Sequence, residues 1–203
     1  MTLLERRPDE IVRESRTPTL ETPRLILRAP HPNDANAIAV LANDRRVAEN
    51  TARLPHPYTP ADARAFMAQT DADNSEVVFF VTLRNHALIG ACGIAALDGK
   101  HPEIGYWLGV PHWGKGYATE AARALIDHAF TELNYETLHA GARVSNPTSR
   151  RVLEKCGFQW IGVKLMRVRA MASAAPVDRF RLDRRLWASL KSWGTVARLA
   201  PPI

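Results

Sequence analysis

The sequence predicts an α/β chain of the α+β kind: one mixed, mostly antiparallel central sheet of about seven strands with helices on both faces. Two observations carry that expectation. Residues 77–110 hold three strand-length apolar runs joined by short connections, the way antiparallel neighbours are linked. Residues 104–144 then read strand, helix, strand, the unit that adds a parallel step. A mixed sheet covered by helices on both faces accommodates both kinds of connection.

Each element has a local reason. Residues 1–19 mix charges of both signs with Pro8, Pro18 and few apolar groups, and read as a flexible arm. Arg24-Leu-Ile-Leu-Arg28 is the first strand, punctuated by Pro23 and Pro30. Asn33 or Asp34 caps a helix over residues 33–43, with Ile38, Leu41 and neighbouring alanines on its inner face. Thr59-Pro60, a cap followed by proline at the first helical position, opens a second helix through Phe66 and Met67. Val77–Val81 is a continuous apolar strand, Ala87–Leu97 the next, Asp98-Gly99 a turn, and Ile104–Val110 the third. Ala118, Ala122, Leu125, Ile126, Ala129 and Leu133 recur at helical spacing over 117–132, with Glu120, Arg123 and Asp127 on the wet face. Leu138–Val144 is a strand and Pro147–Lys155 a helix, with Asn146 as N-cap and Gly157 as terminator. Phe158–Val168 and Arg179–Leu186 are two closing strands, joined by a loop at 171–176. Residues 20–192 form a single domain and 193–203 a tail.

Composition narrows the class. The chain has 203 residues, 46% hydrophobic and 24% charged, enough for one soluble domain with a core. No apolar run reaches the ~18 residues of a membrane span, and the N-terminus lacks the apolar centre of a signal peptide, so the expected compartment is the cytoplasm. Cys92 and Cys156 form no CxxC pair and have no nearby histidine, which argues for two reduced, packed thiols and no metal. The seven histidines lack the serine, cysteine and acid pattern of a triad. The net charge of +6 is unevenly placed: residues 150–203 hold twelve Lys and Arg against three Asp and Glu. A basic C-terminal quarter suits an anionic partner or is simply a solvated face.

The segment with chemistry is Glu103-Ile-Gly-Tyr-Trp-Leu-Gly-Val-Pro-His-Trp-Gly-Lys-Gly-Tyr-Ala-Thr119, a strand running through a glycine-bracketed lysine into a helix. The first N–H groups of a helix lack intrahelical acceptors, the helix dipole adds positive charge there, and glycines let an anion approach the backbone. That junction is a phosphate site or a tight turn with no ligand. Two nucleotide motifs fail on it. Gly109 to Lys115 begins like a P-loop, but Gly116 stands where Ser or Thr must hold magnesium, and Thr119 replaces the third glycine of GxGxxG.

EIGYWLGVPHWGKGYATEA resembles the cofactor-binding signature of the GNAT acetyltransferases, and more narrowly the RimJ/RimL-type ribosomal-protein N-acetyltransferase branch. Thr22-Pro-Arg-Leu-Ile-Leu-Arg28 resembles the opening strand of that branch, and Asn146-Pro-Thr-Ser-Arg-Arg-Val-Leu-Glu-Lys-Cys-Gly-Phe158 its second helix. The likeness covers about residues 20–190, and three motifs in register are more specific than one glycine pair.

The resemblance implies a GNAT-like fold and transfer of an acetyl group from acetyl-CoA to a primary amine by direct attack in a ternary complex. It implies that backbone amides of Gly114, Lys115, Gly116, Tyr117, Ala118 and Thr119 hold the diphosphate, with Trp113 where many members have Gln or Arg. The strand around Leu108 and Val110 would pair with the pantetheine arm, and an N–H near Leu108 would polarise the thioester carbonyl. Glu103 is the candidate base that deprotonates the amine, sharing a strand face with Gly105, Trp107 and Gly109. Many family members place a tyrosine four residues before the Gly of Gly-Phe to protonate the leaving thiolate. Here that residue is Leu153, which leaves Ser149 and Asn146 as polar candidates, Asn146 as cap, cofactor contact or both. Tyr106, Trp107 and Tyr117 read as core or as lining of an acceptor slot.

The acceptor is the α-amine of a protein N-terminus or a small amine, in a pocket built from residues 33–70 and the loop near 171–177. The loss of the usual tyrosine leaves room for a non-catalytic acyl-CoA-binding module. A nucleic-acid-binding role is disfavoured, because Lys164, Arg167 and Arg169 sit in a strand pattern without an aromatic stacking platform. Monomer and homodimer fit equally.

Overall fold

The computed structural model describes residues 17–72, 76–96 and 101–199. Residues 1–16 of the arm expected at 1–19 and the Asp98-Gly99 turn lie outside the described residues. Eight strands form one sheet: β1 (Leu20–Glu21), β2 (Leu25–Arg28), β3 (Glu76–Leu83), β4 (Leu88–Ala95), β5 (Glu103–Leu108), β6 (Thr137–Arg143), β7 (Gln159–Val168) and β8 (Ser173–Asp183). Their order across the sheet is β1-β2-β3-β4-β5-β6-β8-β7. Six helices accompany them: α1 (Ala35–Ala42), α2 (Arg45–Ala48), α3 (Pro60–Ala72), α4 (Tyr117–Thr131), α5 (Pro147–Lys155) and α6 (Arg184–Leu199). The mixed, mostly antiparallel sheet with helices on both faces is the expected architecture. The short β1 raises the strand count to eight.

The two faces are packed independently. Phe79 and Phe80 are adjacent on β3 and both almost fully buried, yet they belong to different clusters. Phe79 joins Ile94, Ile104 and Leu108 beneath Leu125, Ile126 and Ala129 of α4 and Leu153 of α5. Phe80 joins Ala91 beneath Ile38 and Ala42 of α1 and Ala63 and Met67 of α3. Strand alternation sends neighbours to opposite faces, and each buried phenylalanine contributes about 1.5–3 kcal/mol. Below, the α4/α5 side is called the helical face and the α1/α3 side the open face, because α1 and α3 cover only part of it.

Two of the three expected helix starts are capped as the sequence implies, but neither Asn33 nor Asp34 caps α1 with its side chain: His31 Nδ1 accepts the Asn33 amide at 3.2 Å to start a 3-10 turn over Pro32–Asp34, and α1 begins behind it at Ala35. The Thr59 hydroxyl and amide bond Asp62 Oδ2, and the Asp62 amide returns to Thr59 Oγ1, a reciprocal box that starts α3. Asn146 Oδ1 accepts the Ser149 amide at 3.1 Å and starts α5. Gly157, at φ +91°, ends it in a conformation that favours glycine.

Near the C-terminus the structure departs from the sequence expectation in two places. The loop expected at 171–176 is a short 3-10 turn at Arg169–Met171 followed by strand, because β8 already starts at Ser173. The strand expected through Leu186 ends at Asp183, and α6 follows, running through Leu199 into the stretch set aside as a tail. A small helix, α2, was not anticipated; Asp44 caps it by accepting the Arg46 amide at 2.9 Å.

The sheet's single parallel pairing positions the site. β5 and β6 share only two register positions, Glu103 with His139 and Ile104 with Ala140. Beyond them the ladder stops and the strands part. β5 is held on its other side by β4 along its whole length, from Ala95 with Glu103 to Gly90 with Leu108.

Candidate active site

The next residue on each diverging strand is a glycine, Gly105 on β5 and Gly141 on β6. Both belong to the open face by alternation. A Cβ on Gly105 would meet nothing within 4 Å, so the mouth of the gap is bare on that side.

The glycine loop lies past the other end of β5. Val110–His112 form one 3-10 turn, and the Trp113 indole N–H donates to the Leu108 carbonyl at 2.7 Å, folding the loop back onto the strand end. Gly114 and Gly116 both take left-handed backbone, φ +73° and +79°, which a side chain would strain. Gly116 is the N-cap of α4 and no side chain caps that end. The amides of Tyr117, Ala118 and Thr119 therefore lack intrahelical acceptors at the positive end of a 15-residue helix. Open space stands where a Cβ of Gly114 would be. An uncapped helix start beside bare glycine fits a diphosphate, and a groove of about 960 Å³ adjoins it, lined in part by Arg24, Gly116, Thr119, Arg123 and Lys155.

Glu120, expected on a solvated face, is instead the lock that holds this loop. Its Oε1 accepts the Thr22 hydroxyl at 2.7 Å and the Arg24 amide at 2.9 Å, and its Oε2 accepts Arg24 Nε at 2.6 Å. The same guanidinium donates to the Lys115 carbonyl at 3.0 Å and lies 4.8 Å from the centre of the Tyr117 ring. Burial alone would raise the Glu120 carboxyl; the Thr22 and Arg24 bonds outweigh it and hold the group below the ordinary glutamate range. The opening-strand motif and the loop motif are thus two halves of one ionic joint.

The gap has different chemistry on its two faces. On the helical face, the Tyr106 hydroxyl lies 3.1 Å from Ser149 Oγ and donates to the Ser149 carbonyl at 3.2 Å. Burial drives the Tyr106 phenol well above its ordinary value, only partly offset by Ser149. Asn146 serves as the cap described above. Leu153 is fully buried in the core, so no polar group at that position could reach the gap without repacking.

On the open face, Glu103 accepts both terminal nitrogens of Arg179, at 2.8 and 2.6 Å. It lines a cavity of about 360 Å³ with His101, His139, Lys164, Met166, Arg179 and Ala95. The His101 and His139 rings meet edge to face at 5.3 Å between centroids. Burial lowers the His139 pKa first, and the nearby positive charges of His101, Arg179 and Arg181 lower it further, against the pull of Glu103. At neutral pH its imidazole is uncharged and able to accept a proton.

Of the expected residues, Glu103 lines the open-face cavity, Ser149 meets Tyr106 on the helical face, Asn146 caps α5, and the loop 113–119 leads to the separate groove at the start of α4. Tyr106, expected as core or slot lining, contacts Ser149, while His139 and Arg179, which the sequence did not single out, flank Glu103. For Tyr106 the signal was alternation, which puts it opposite Glu103; for His139 and Arg179 there was none, since the contacts arise only from the β5, β6, β8 register. Cys92 and Cys156 are buried free thiols, with Cys92 pushed up to about 12 by desolvation. Among the described residues no cluster of His, Cys, Asp or Glu is arranged to hold a metal, and no helix is long and apolar enough to cross a membrane.

Comparison with known proteins identifies the family and the fold. Residues 24–159 match the family described as the acetyltransferase (GNAT) domain. The chain is 32% identical over 177 residues to p20 of Bacillus licheniformis, named an uncharacterized N-acetyltransferase, covering 84% of this chain and 98% of the relative. It is 33% identical over 81 residues to the ribosomal-protein-serine acetyltransferase of Escherichia coli, covering 39% of this chain and 45% of that one. The fold overlays on spermidine N-acetyltransferase from Vibrio cholerae, solved with CoA and spermine, with a TM-score of 0.70 at 24% identity, covering 81% and 98% of the two chains.

Proposed function

The chain belongs to the GNAT acetyltransferase family, and on that premise we propose that it moves the acetyl group of acetyl-CoA to a primary amine by direct attack within the β5–β6 gap. One observation carries the reading: an uncapped helix start with two left-handed glycines stands at one end of a strand whose free edge opens into a gap with titratable groups on both sides.

Acetyl-CoA supplies an activated thioester. The amides from Gly114 to Thr119 hold its diphosphate, and the Arg24–Glu120 joint keeps them aimed. The unpaired edge of β5 from Gly105 to Leu108 offers backbone groups to the amide-rich arm, and an N–H near Leu108 stabilises negative charge developing on the carbonyl oxygen. Trp113 engages the Leu108 carbonyl, which restricts that peptide plane. Val110, at the start of the 3-10 turn, continues the same path.

The amine enters from the open face. Glu103 takes its proton directly or through water, with Arg179 fixing the carboxylate and His139 as a neutral neighbour able to relay it. Ser149, with Tyr106 behind it, faces the departing thiolate from the other side. The acceptor is a protein N-terminus or a small amine; the E. coli relative is named for a ribosomal-protein serine and the V. cholerae neighbour for spermidine.

The test is CoA release with acetyl-CoA and a panel of amines, followed across pH. Glu103→Gln should lower kcat by about 10²–10⁴-fold and flatten the acidic limb of kcat/KM. An unchanged profile in Glu103→Gln together with loss of that limb in His139→Gln would move the base to His139. Binding of acetyl-CoA without turnover on any amine would instead support a non-catalytic module.

A further inference from the structure

The open face at the mouth of the gap is cationic, and its acids are already committed. Glu103 is neutralised by the two-pronged bond from Arg179, and Glu76 by Arg53. Asp183 is paired with Arg181 at 2.7 Å. Two cations remain without a carboxylate of their own among the described residues. Lys164, opposite Val177 on the neighbouring strand, lines the 360 Å³ cavity and makes no ion pair there. Arg143, two residues past Gly141 on the same face of β6, donates to the Glu49 carbonyl at 2.7 Å, while the Glu49 carboxylate is held by Arg45 at 2.6 Å.

These groups bracket the place where an acceptor must sit. Gly105 leaves its part of the floor bare, and Gly141 makes room for the Arg179 and Val177 side chains. A Cβ on Gly141 would lie 2.9 Å from an Arg179 nitrogen and 3.5 Å from a Glu103 oxygen, so the floor touches the ion pair directly. Ala95 and Met166 supply apolar wall. Burial lowers the basicity of His139 first, and the neighbouring His101, Arg179 and Arg181 lower it further. A second cation brought into this cavity meets like charge at short range, whereas an anion finds Lys164 unmatched. The basic C-terminal quarter of the sequence thereby acquires a use: β7 and β8 carry Lys164 and Arg179 into the cavity.

Resting on the acetyl-transfer reading of this gap, we infer that the preferred acceptor is an amine bearing a carboxylate a few bonds from its nitrogen. The carboxylate sits on Lys164 at the Glu103–Arg179 platform. It is the side chain of an acidic residue near a peptide N-terminus or the carboxylate of a free amino acid; polyamines are poor acceptors.

The experiment compares acceptors that differ only in charge. Ser-Asp-Ala-amide, Ser-Asn-Ala-amide and Ser-Lys-Ala-amide are assayed beside free glutamate, its α-carboxamide and spermidine, with wild type, Lys164→Ala and Lys164→Glu. The expected order in kcat/KM is acidic over neutral over basic, with a loss of about fivefold on the acidic acceptor in Lys164→Ala. Lys164→Glu should invert the order. The peptide and amino-acid arms separate the two sources of carboxylate. Turnover with no charge preference, or a preference that Lys164→Glu leaves standing, overturns the inference alone. Bound acetyl-CoA with no turnover on any acceptor overturns the acetyltransferase reading and takes the inference with it.

Discussion

A phenol pushed above its ordinary pKa does not hand its proton to a thiolate, whose conjugate acid titrates near 8.5. Tyr106 can still donate a hydrogen bond. Its single hydroxyl proton, shared between the Ser149 carbonyl and Oγ, leaves the serine hydroxyl free to point into the gap, and water delivers the proton afterwards. Ser149→Ala should therefore cost about tenfold in kcat with little change in the acetyl-CoA KM. Tyr106→Phe should cost less, because it removes only the neighbouring phenol hydroxyl and leaves the donor. Steady-state kinetics on both variants checks the ranking, and equal losses would make Tyr106 the direct donor. Glu120 carries a different prediction. Its folded pKa is depressed, so its stabilising effect is complete above the unfolded value near 4.5 and is lost as pH falls through the lowered folded value. The Tm gap between wild type and Glu120→Gln should be widest above pH 5 and shrink toward pH 3. The acetyl-CoA KM of that variant should rise, since Arg24 loses its anchor. Why was Glu120 misread? Helical spacing places it opposite Ala122 and Leu125, on a face that looks wet until β2 is folded against it.

Elements carry the donor-binding geometry, and the two loop glycines can be separated experimentally. Gly114→Ala meets open space, so its cost is backbone strain alone, about 1–2 kcal/mol. Gly116→Ala adds a Cβ 3.3 Å from an Arg24 nitrogen at a position that is also left-handed. It should strain the backbone equally and loosen the Arg24–Glu120 joint as well. The expected outcome is a larger rise in acetyl-CoA KM for Gly116→Ala than for Gly114→Ala, read from donor titrations at saturating amine. These glycines, the strand before them and the helix after them were legible because turn chemistry and helical period agree there. The closing strands were not. Ser173 to Pro176 lacks the β-branched run that marks a strand, yet each of these residues pairs with β7, from Val168 with Ser173 to Leu165 with Pro176, and that pairing overrides weak propensity. Arg184 to Leu186 looks like more strand, but Trp187 donates to Asp127 Oδ1 at 2.8 Å, tying the start of α6 to α4.

At the scale of the whole molecule, the gap is a place where the sheet is incomplete. Seven adjacencies hold eight strands together; the parallel one, β5 with β6, lies inside the sheet and yet carries only two register pairs, as few as the two-residue β1 makes with β2 at the edge. The left half, β1 to β5, and the right half, β6, β8 and β7, are otherwise joined through α4, α5 and the side chains across the faces. That arrangement was legible only in part: strand–helix–strand order implies a parallel step, but nothing in the residues says how early the pairing stops. A donor that lies along the free edge of β5 completes the sheet and bridges the halves, so it binds the folded chain and not the unfolded one. Linkage then gives about 2.7 kcal/mol of added stability at a hundredfold excess over Kd, or a Tm rise of roughly 5–10 °C for a chain of this size. Acetyl-CoA should produce that rise, and it should slow amide exchange at Gly105–Leu108 and Gly114–Thr119 more than in the β3–β4 pair, which is already complete. Arg24→Ala should reduce the Tm rise at fixed donor concentration by weakening the loop, while still protecting the β5 edge at saturation. Protection confined to the glycine loop would mean that the donor is held by its phosphates alone and does not enter the gap.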